Sequence, residues 1–174
     1  MTVKHVSSFF VFPFIIGILF IFFHDFDVTS LIMLIVGLFM WNVFEYSFHR
    51  VAFHGSAIPK KLKRYLTNGH RFHHRYPDKI DNLILPVSLT LPFSLISLFV
   101  VYSIFGEVNI SWYYLGLVIG LYSYEFMHYA AHHMKIKLKF FKYMKHRHLS
   151  HHFKNPKTKF MVSNPLFDYL LGTK

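Results

Sequence analysis

The chain lacks cysteine altogether and is poor in acidic residues. Without thiols it can form neither disulfide bonds nor thiolate metal sites. Only 8 Asp and Glu stand against 19 Lys and Arg, yet 53% of the residues are hydrophobic. Apolar and basic segments must therefore alternate along the 174 residues. Membrane helices joined by basic loops have this composition, so the positive charge does not require a nucleic-acid partner.

Four apolar stretches are candidates for transmembrane helices, since a bilayer span needs about 20 mostly apolar residues. They cover residues 8–23, 28–46, 83–105 and 110–131. The first is short and contains Pro13, but no small-residue cleavage site follows it, so we interpret it as a retained helix. No linker or low-complexity tract divides the chain. We therefore predict one all-α integral membrane domain, residues 1–174, in which four transmembrane helices carry a helical cap formed by residues 47–82 and 132–174.

Basic residues are distributed so that they predict the orientation of these helices. Residues 47–82 contain eight Lys or Arg and the segment after Ala131 contains ten, whereas the turns 24–27 and 106–109 contain none. Because positive residues mark the cytoplasmic side, we expect both termini and the cap in the cytoplasm. The membrane is either that of the endoplasmic reticulum or a bacterial inner membrane.

Histidine is abundant, and ten of the 14 histidines form four tight groups. The groups are His49 and His54; His70, His73 and His74; His128 and His132; and His148, His151 and His152. Spacings of three or four residues place side chains on one helical face, and histidine is the commonest protein metal ligand. Ten imidazoles exceed the needs of one ion, so we predict that they bind two metal ions, about five nitrogens each. His5, His24 and His133 are left out, and His146 could lie just outside the ligands.

The histidine pattern occurs twice at a nearly constant offset. His128 follows His49 by 79 residues, and His148 follows His70 by 78. Each half offers a first pair and, about twenty residues later, an H-x-x-H-H triplet. A pseudo-duplicated scaffold in which both halves contribute to one dimetal site explains this offset.

Local signals near the histidines suggest where helices end. His49 and His54 are five residues apart, about 140° on a straight helix, so we expect the second span to end or bend between them. Asn68-Gly69 predicts that a helix opening at Pro59 stops there. Apolar, basic and histidine side chains at helical spacing predict an amphipathic helix over residues 136–153.

Three carboxylates could support the metal ligands. Glu45 and Glu125 lie inside predicted spans, where ionisable residues are costly and usually functional. They could accept the second ring N–H of a ligand histidine, or they could pair with a basic neighbour such as Arg50. Asp168 could hydrogen-bond a ligand or cap a turn. We assign no catalytic residue beyond the metal ligands.

Four stretches of the chain carry motifs. They are Glu45-Tyr-Ser-Phe-His49-Arg-Val-Ala-Phe-His54; His73-His74-Arg-Tyr-Pro77-Asp with Leu85-Pro86; His128-Tyr-Ala-Ala-His132-His133; and His148-Leu-Ser-His151-His152-Phe-Lys with Phe167-Asp168-Tyr169 and Gly172-Thr173. From Trp41 onwards the chain resembles the fatty acid hydroxylase superfamily, most closely its fatty acid 2-hydroxylase (sphingolipid alpha-hydroxylase) branch. The resemblance implies four transmembrane helices under a cytosolic cap and a dimetal centre that uses O₂ to hydroxylate a lipid. It implies two iron ions, although purified protein could carry zinc, and it gives the ten clustered histidines the ligand roles.

The resemblance also implies a substrate and an electron donor. Many eukaryotic members carry a fused cytochrome b5 domain with a His-Pro-Gly-Gly motif, which this chain lacks. We therefore expect electrons from a separate protein, such as a cytochrome b5 or a ferredoxin-type protein. The expected substrate is a membrane lipid, and the expected reaction hydroxylates carbon 2 of a fatty acyl group, free or in a sphingolipid such as ceramide.

Other functions fit parts of the sequence. Within the superfamily, the alternatives are a carotenoid, sterol or sphingoid-base hydroxylase and a desaturase, but the segments 77–86 and 153–172 favour the acyl branch. A membrane metal carrier would need polar residues through the full bilayer depth, whereas the few polar residues of the stretch 83–105 are mainly Ser and Thr. A membrane cytochrome with paired histidine ligands would need facing histidines within the spans, and both triplets lie outside them.

The predicted orientation can be tested by cysteine labelling, because no native cysteine interferes. In bacterial cells with a permeabilised outer membrane, cysteines at positions 25 and 107 should react with an impermeant maleimide. Cysteines at positions 60 and 174 should react only after lysis, which serves as the control. Labelling of position 60 from outside would contradict the orientation and would separate the histidine groups from cytosolic reductants.

Overall fold

The computed structural model of the chain describes residues 26–55, 59–80, 83–107 and 109–174, which form helices and no β-strand. The helices are α1 (Val28–Ser47), α2 (Lys60–Arg75), α3 (Val87–Phe105), α4 (Ile110–His133), α5 (Lys139–Phe153) and α6 (Leu166–Leu170). A π-helical segment, Phe48–Phe53, extends α1. The predicted all-α class is confirmed over these ranges, and the predicted span at residues 8–23 lies outside them.

Two of the described helices are long and apolar enough to cross a bilayer. They are α3 and α1 with its π-helical extension, Val28–Phe53. Helix α3 begins at Val87, four residues after the predicted start at residue 83. Before the helix, the Leu85 N–H donates to the Glu125 side chain at 2.9 Å. Helix α4 covers the predicted fourth span without a break, but it contains polar side chains such as Glu125 and His128. The four-span arrangement with a cytoplasmic cap remains a prediction.

The described residues separate into two compact units. The first contains the described part of Met1–Trp41 together with Pro86–Tyr122, and the second contains Asn42–Leu85 and Ser123–Lys174. The apolar helix α3 belongs to the first unit. All ten clustered histidines belong to the second unit, together with α2, α5 and α6.

Glycines allow α1 and α4 to approach closely in the first unit. A Cβ atom at Gly37 would lie 2.1 Å from the carbonyl oxygen of Tyr113, and one at Gly116 would lie 2.2 Å from a carbonyl oxygen of α1. One turn further along, a Cβ at Gly120 would lie 2.4 Å from the indole of Trp41. Small residues at such crossings let helix backbones touch, as they do in membrane helix pairs.

Asp27 joins the two short turns of the first unit. Its Oδ1 accepts hydrogen bonds from the Ser30 backbone N–H at 2.7 Å and from the Asn109 side-chain amide at 3.3 Å. The first bond caps the N-terminus of α1. The second brings the start of α4 to the same end, so the turns before α1 and before α4 meet there.

The second span ends between His49 and His54 as expected, because its π-helical extension stops at Phe53 and His54 follows as the C-cap residue. The stretch between the two histidines is π-helical, and the His54 N–H donates to the His49 carbonyl at 3.2 Å, which is an i→i+5 hydrogen bond. A π-helical turn holds about one residue more than an α-helical turn. Residues five apart therefore face the same side, which a straight α-helix would not allow.

The helix stop predicted at Asn68-Gly69 is wrong, since α2 runs unbroken from Lys60 to Arg75. A glycine inside a helix costs about 1 kcal/mol relative to alanine. Continuing the helix buries Thr67 and His73 almost completely, and this burial outweighs the cost. Helix α5 begins at Lys139, three residues after the predicted start, and ends at Phe153 as predicted.

Gly37→Ala and Gly116→Ala should each lower stability by about 1–3 kcal/mol, because the added methyl group overlaps a backbone oxygen. Thermal unfolding of the detergent-purified protein should therefore occur at a lower temperature. Ser103→Ala, at an exposed position of α3, is the control and should unfold like the original protein. Unchanged unfolding of both glycine variants would contradict the close approach of α1 and α4.

Candidate metal centre

The ten clustered histidines converge into two groups of five. The first cluster consists of His49, His54, His70, His74 and His151, and the second cluster consists of His73, His128, His132, His148 and His152. Within each cluster, one nitrogen from every ring lies within 4.8 Å of the others. Each cluster could therefore offer five nitrogen ligands to one metal ion.

The middle histidine of each triplet joins the opposite cluster. On α2, His70 and His74 enter the first cluster while His73 enters the second. The triplet of α5 does the reverse, because only His151 leaves its neighbours for the first cluster. Residue i+3 lies about 60° from residue i on one side, and residue i+4 lies about 40° from it on the other. Each helix therefore points its histidine face between the two clusters.

Distances between ring nitrogens match those of ligands that share an ion. The Nε2 atoms of His49 and His151 are 3.0 Å apart in the first cluster, and those of His73 and His128 are 2.8 Å apart in the second. Two nitrogens held about 2.1 Å from one ion at a right angle would be separated by about 3.0 Å. The donor sets therefore fit a metal ion in both clusters.

Hydrogen bonds at the other ring nitrogen decide the tautomers of two histidines in the first cluster. His49 Nδ1 donates to the Phe160 carbonyl, and His151 Nδ1 donates to the Thr158 carbonyl at 2.7 Å. A neutral imidazole carries only one hydrogen, so both Nε2 atoms present lone pairs. Two lone pairs 3.0 Å apart repel each other unless a cation lies beside them.

Burial favours the neutral form of clustered histidines on α2 and α5. Burial, followed by the charges of neighbouring histidines, lowers the pKa of His73 to about 3 and the pKa of His74 to about 2. The same causes lower the pKa of His148 well below its usual value of 6.5. Neutral imidazole is the form that binds metal, so these rings are ready to act as ligands at physiological pH.

The two clusters lie side by side. The rings of His74 in the first cluster and His152 in the second are stacked, with centroids 4.1 Å apart. Both ring nitrogens of His152 are buried without a hydrogen-bond partner among the described residues. Buried polar atoms normally have a partner, so these nitrogens fit a role that hydrogen bonding does not fill.

Glu45 binds backbone rather than a histidine or a basic side chain, which corrects both predicted alternatives. Its Oε1 accepts hydrogen bonds from the N–H groups of Val162 at 2.6 Å and Ser163 at 3.0 Å. Arg50 donates instead to the Tyr46 hydroxyl. The partners of Glu45 lie more than a hundred residues away in the sequence, so no local pattern could reveal them.

Glu125 and Asp168 also contact backbone rather than ligand rings. Glu125 Oε1 accepts from the Leu85 N–H, and its Oε2 has no partner among the described residues. Asp168 is fully buried, forms an ion pair with Arg147 at 2.7 Å and accepts from the Phe160 N–H at 2.9 Å. Sequence reasoning found these carboxylates but missed Arg147, whose partner Asp168 lies 21 residues away in the sequence. It also missed the Phe160 carbonyl, because a backbone atom leaves no signal in the sequence.

The remaining histidines stay outside both clusters. His133 contacts the ring of His132 but is in neither group. His146 is exposed, so it does not lie just outside the ligands as expected. His5 and His24 lie outside the described residues.

Comparisons with known proteins identify the family of this chain. The family model described as "Fatty acid hydroxylase" matches residues 34–173. The chain is 31% identical over 148 residues to the "Ceramide very long chain fatty acid hydroxylase SCS7" of Saccharomyces cerevisiae, a match that covers 79% of this chain and 36% of that protein. It is 28% identical over 146 residues to the "Dihydroceramide fatty acyl 2-hydroxylase FAH1" of Arabidopsis thaliana, covering 81% of this chain and 60% of that protein.

A solved structure is similar as well. It is described as full-length scs7p with only the hydroxylase domain visible, and it matches with a TM-score of 0.72 and 25% identity, covering 96% of this chain and 62% of that chain. The chain thus spans 36% of the SCS7 protein and 60% of the FAH1 protein. Because the family match covers residues 34–173 of 174, this chain belongs to the fatty acid hydroxylase family.

Proposed function

We propose that this chain is a membrane di-iron monooxygenase that hydroxylates carbon 2 of a lipid acyl chain. The pair of five-histidine clusters is the observation that carries the proposal. The substrate class comes from the relatives, whose names specify ceramide hydroxylation and dihydroceramide acyl 2-hydroxylation. A ceramide or another acyl lipid is therefore the first substrate to test.

The ten clustered histidines are the proposed ligands of two metal ions. All-nitrogen donor sets suit iron, zinc and copper, and iron, when bound, supplies the redox chemistry that O₂ activation needs. The chain itself holds the rings neutral, orients their Nε2 atoms and keeps water away through burial. His73, His148 and His151, each at most 1% exposed, form the least accessible part of the site.

The reaction requires an electron donor. Monooxygenation inserts one atom of O₂ into a C–H bond and reduces the other atom to water, which consumes two electrons and two protons beyond those of the substrate. The described residues contain no cysteine that could store electrons as a thiol pair. A separate protein, such as a cytochrome b5 or a ferredoxin-type protein, is the proposed donor.

The position of the clusters along the chain favours carbon 2. His49 lies near the end of the candidate span Val28–Phe53 and His54 directly follows it. Both H-x-x-H-H triplets lie on α2 and α5, outside the helices that are apolar enough to span a bilayer. A site at the membrane surface meets the carbonyl end of an acyl chain, where carbon 2 lies. This supports 2-hydroxylation over desaturation in the middle of the chain, and it assumes the four-span topology with a cytoplasmic cap.

Elemental analysis of the purified protein should give two metal ions per chain. His54→Ala combined with His74→Ala removes two ligands of the first cluster and should leave about one ion, as should His132→Ala combined with His148→Ala in the second. His146→Ala, at an exposed histidine of α5, is the matched control and should retain two. A single ion in the active original protein would contradict the dimetal proposal.

Purified protein supplied with iron, O₂, a reduced donor and ceramide should form a 2-hydroxyacyl product. With ¹⁸O₂, mass spectrometry should detect one labelled oxygen at carbon 2, and omission of the donor should prevent multiple turnover. The variant lacking His132 and His148 serves as the inactive control. Turnover without the donor would refute the monooxygenase mechanism, whereas an alkene or a hydroxylated carotenoid would refute only the proposed substrate and position.

A further inference from the structure

Residues 158–163, here called the strap, connect α5 to α6 without regular secondary structure and are almost completely buried at their centre. Phe160, Met161 and Val162 are each at most 3% exposed. Five consecutive strap N–H groups have acceptors: Lys159 donates to the Thr173 carbonyl, Phe160 and Met161 donate to Asp168, and Val162 and Ser163 donate to Glu45. Two carboxylates therefore bind four of these five amides.

Two carbonyls of the strap face the metal centre. Thr158 and Phe160, which are two residues apart, accept the Nδ1 hydrogens of His151 and His49 respectively. Both histidines belong to the first cluster. The strap thus presents its amides to carboxylates and its carbonyls to two proposed ligands of one ion.

The two carboxylates are themselves held in place. Asp168, on α6, accepts hydrogen bonds from Arg147 at 2.7 Å and from the Thr173 hydroxyl at 2.8 Å, in addition to the strap amides. Glu45, on α1, also accepts a hydrogen bond from the Ser163 hydroxyl. These contacts tie the strap to α1 and α6, so the two carboxylates determine where the strap carbonyls lie.

The second cluster has less support of this kind among the described residues. The Nδ1 atoms of His73, His128, His148 and His152 are buried without hydrogen-bond partners there. The strap does not contact the rings of the second cluster through any of the hydrogen bonds described above.

We propose that Glu45 and Asp168 are positioning residues for the first cluster and act through the strap. They fix the Thr158 and Phe160 carbonyls, which hold His151 and His49 in the tautomer whose Nε2 is free to bind metal. The proposal rests on the metal-ligand function proposed above. It adds that the two ions are held unequally, since only the first cluster depends on the strap. Loss of a hydrogen-bonding partner behind a ligand typically lowers metal affinity by roughly 10–100-fold.

The test measures Zn²⁺ affinity of the full chain in detergent, in two backgrounds that isolate one cluster each. The variant lacking His132 and His148 retains the first cluster, and the variant lacking His54 and His74 retains the second. Glu45→Ala should weaken binding roughly 10–100-fold in the first background and leave it unchanged in the second. Glu125→Ala also removes a buried glutamate, but it does not touch the strap, so it is the matched control and should not weaken the first cluster.

Conservative variants distinguish the strap from a simple effect of charge. In Glu45→Gln the amide oxygen still accepts from Val162 and Ser163, so affinity should be restored. Asp168→Asn keeps the volume of the side chain but turns an NH₂ group towards donors that include Arg147, so it should weaken the first cluster like Glu45→Ala. It also tests the proposal in a variant that leaves no cavity.

Three results would overturn the proposal. They are equal weakening of both clusters by Glu45→Ala, no weakening of either, and a Glu45→Gln variant that binds as poorly as the alanine variant. The first would reveal a general loss of folding, and the last would reveal that charge acts directly. An original protein that binds no zinc would instead refute the metal function itself, so the two failures remain distinguishable.

Discussion

Repulsion between imidazole lone pairs is the constraint around which the second unit is organised. The Nε2 atoms of His49 and His151 are 3.0 Å apart, and both rings use their only hydrogen at Nδ1. Such an arrangement is stable only if something forces the rings together and a cation offsets the repulsion. Here Arg147 holds Asp168, Asp168 binds amides of the strap, and the strap carbonyls hold the two rings. This chain of contacts explains why the buried ion pair of Arg147 and Asp168 lies near the first cluster.

Helix geometry supplies the second constraint. Alpha-helical triplets place three rings on one face, but a pair of residues five apart cannot share a face on the same kind of helix. The π-helical segment Phe48–Phe53 solves this problem by widening one turn. Packing then overrides weaker local preferences, as it does at Gly69, where a helix that would otherwise end continues so that His70 and His74 reach the first cluster.

Much of the candidate site could be predicted from the sequence, because the spacing of the histidines is visible there. The grouping of ten rings and the ratio of five to each cluster follow from the composition and the repeat. The sequence does not reveal that His73 and His151 change clusters, since that depends on where each helix axis points. Nor does it reveal the function of Glu45, whose partners are amides of Val162 and Ser163. Backbone atoms are common to every residue, so a contact made by them has no signature in one sequence.

The exchange of the middle histidines has a consequence for the origin of the repeat. Each half of the chain contributes five rings, four to one cluster and one to the other, so a half-length chain could complete neither cluster alone. Two identical halves related by a twofold axis would complete both, each lending the other its middle histidine. A gene duplication that fused such a pair would join two subunits that already depended on one another. The fused chain could afterwards let its halves diverge, with the strap present behind one cluster and a different environment behind the other.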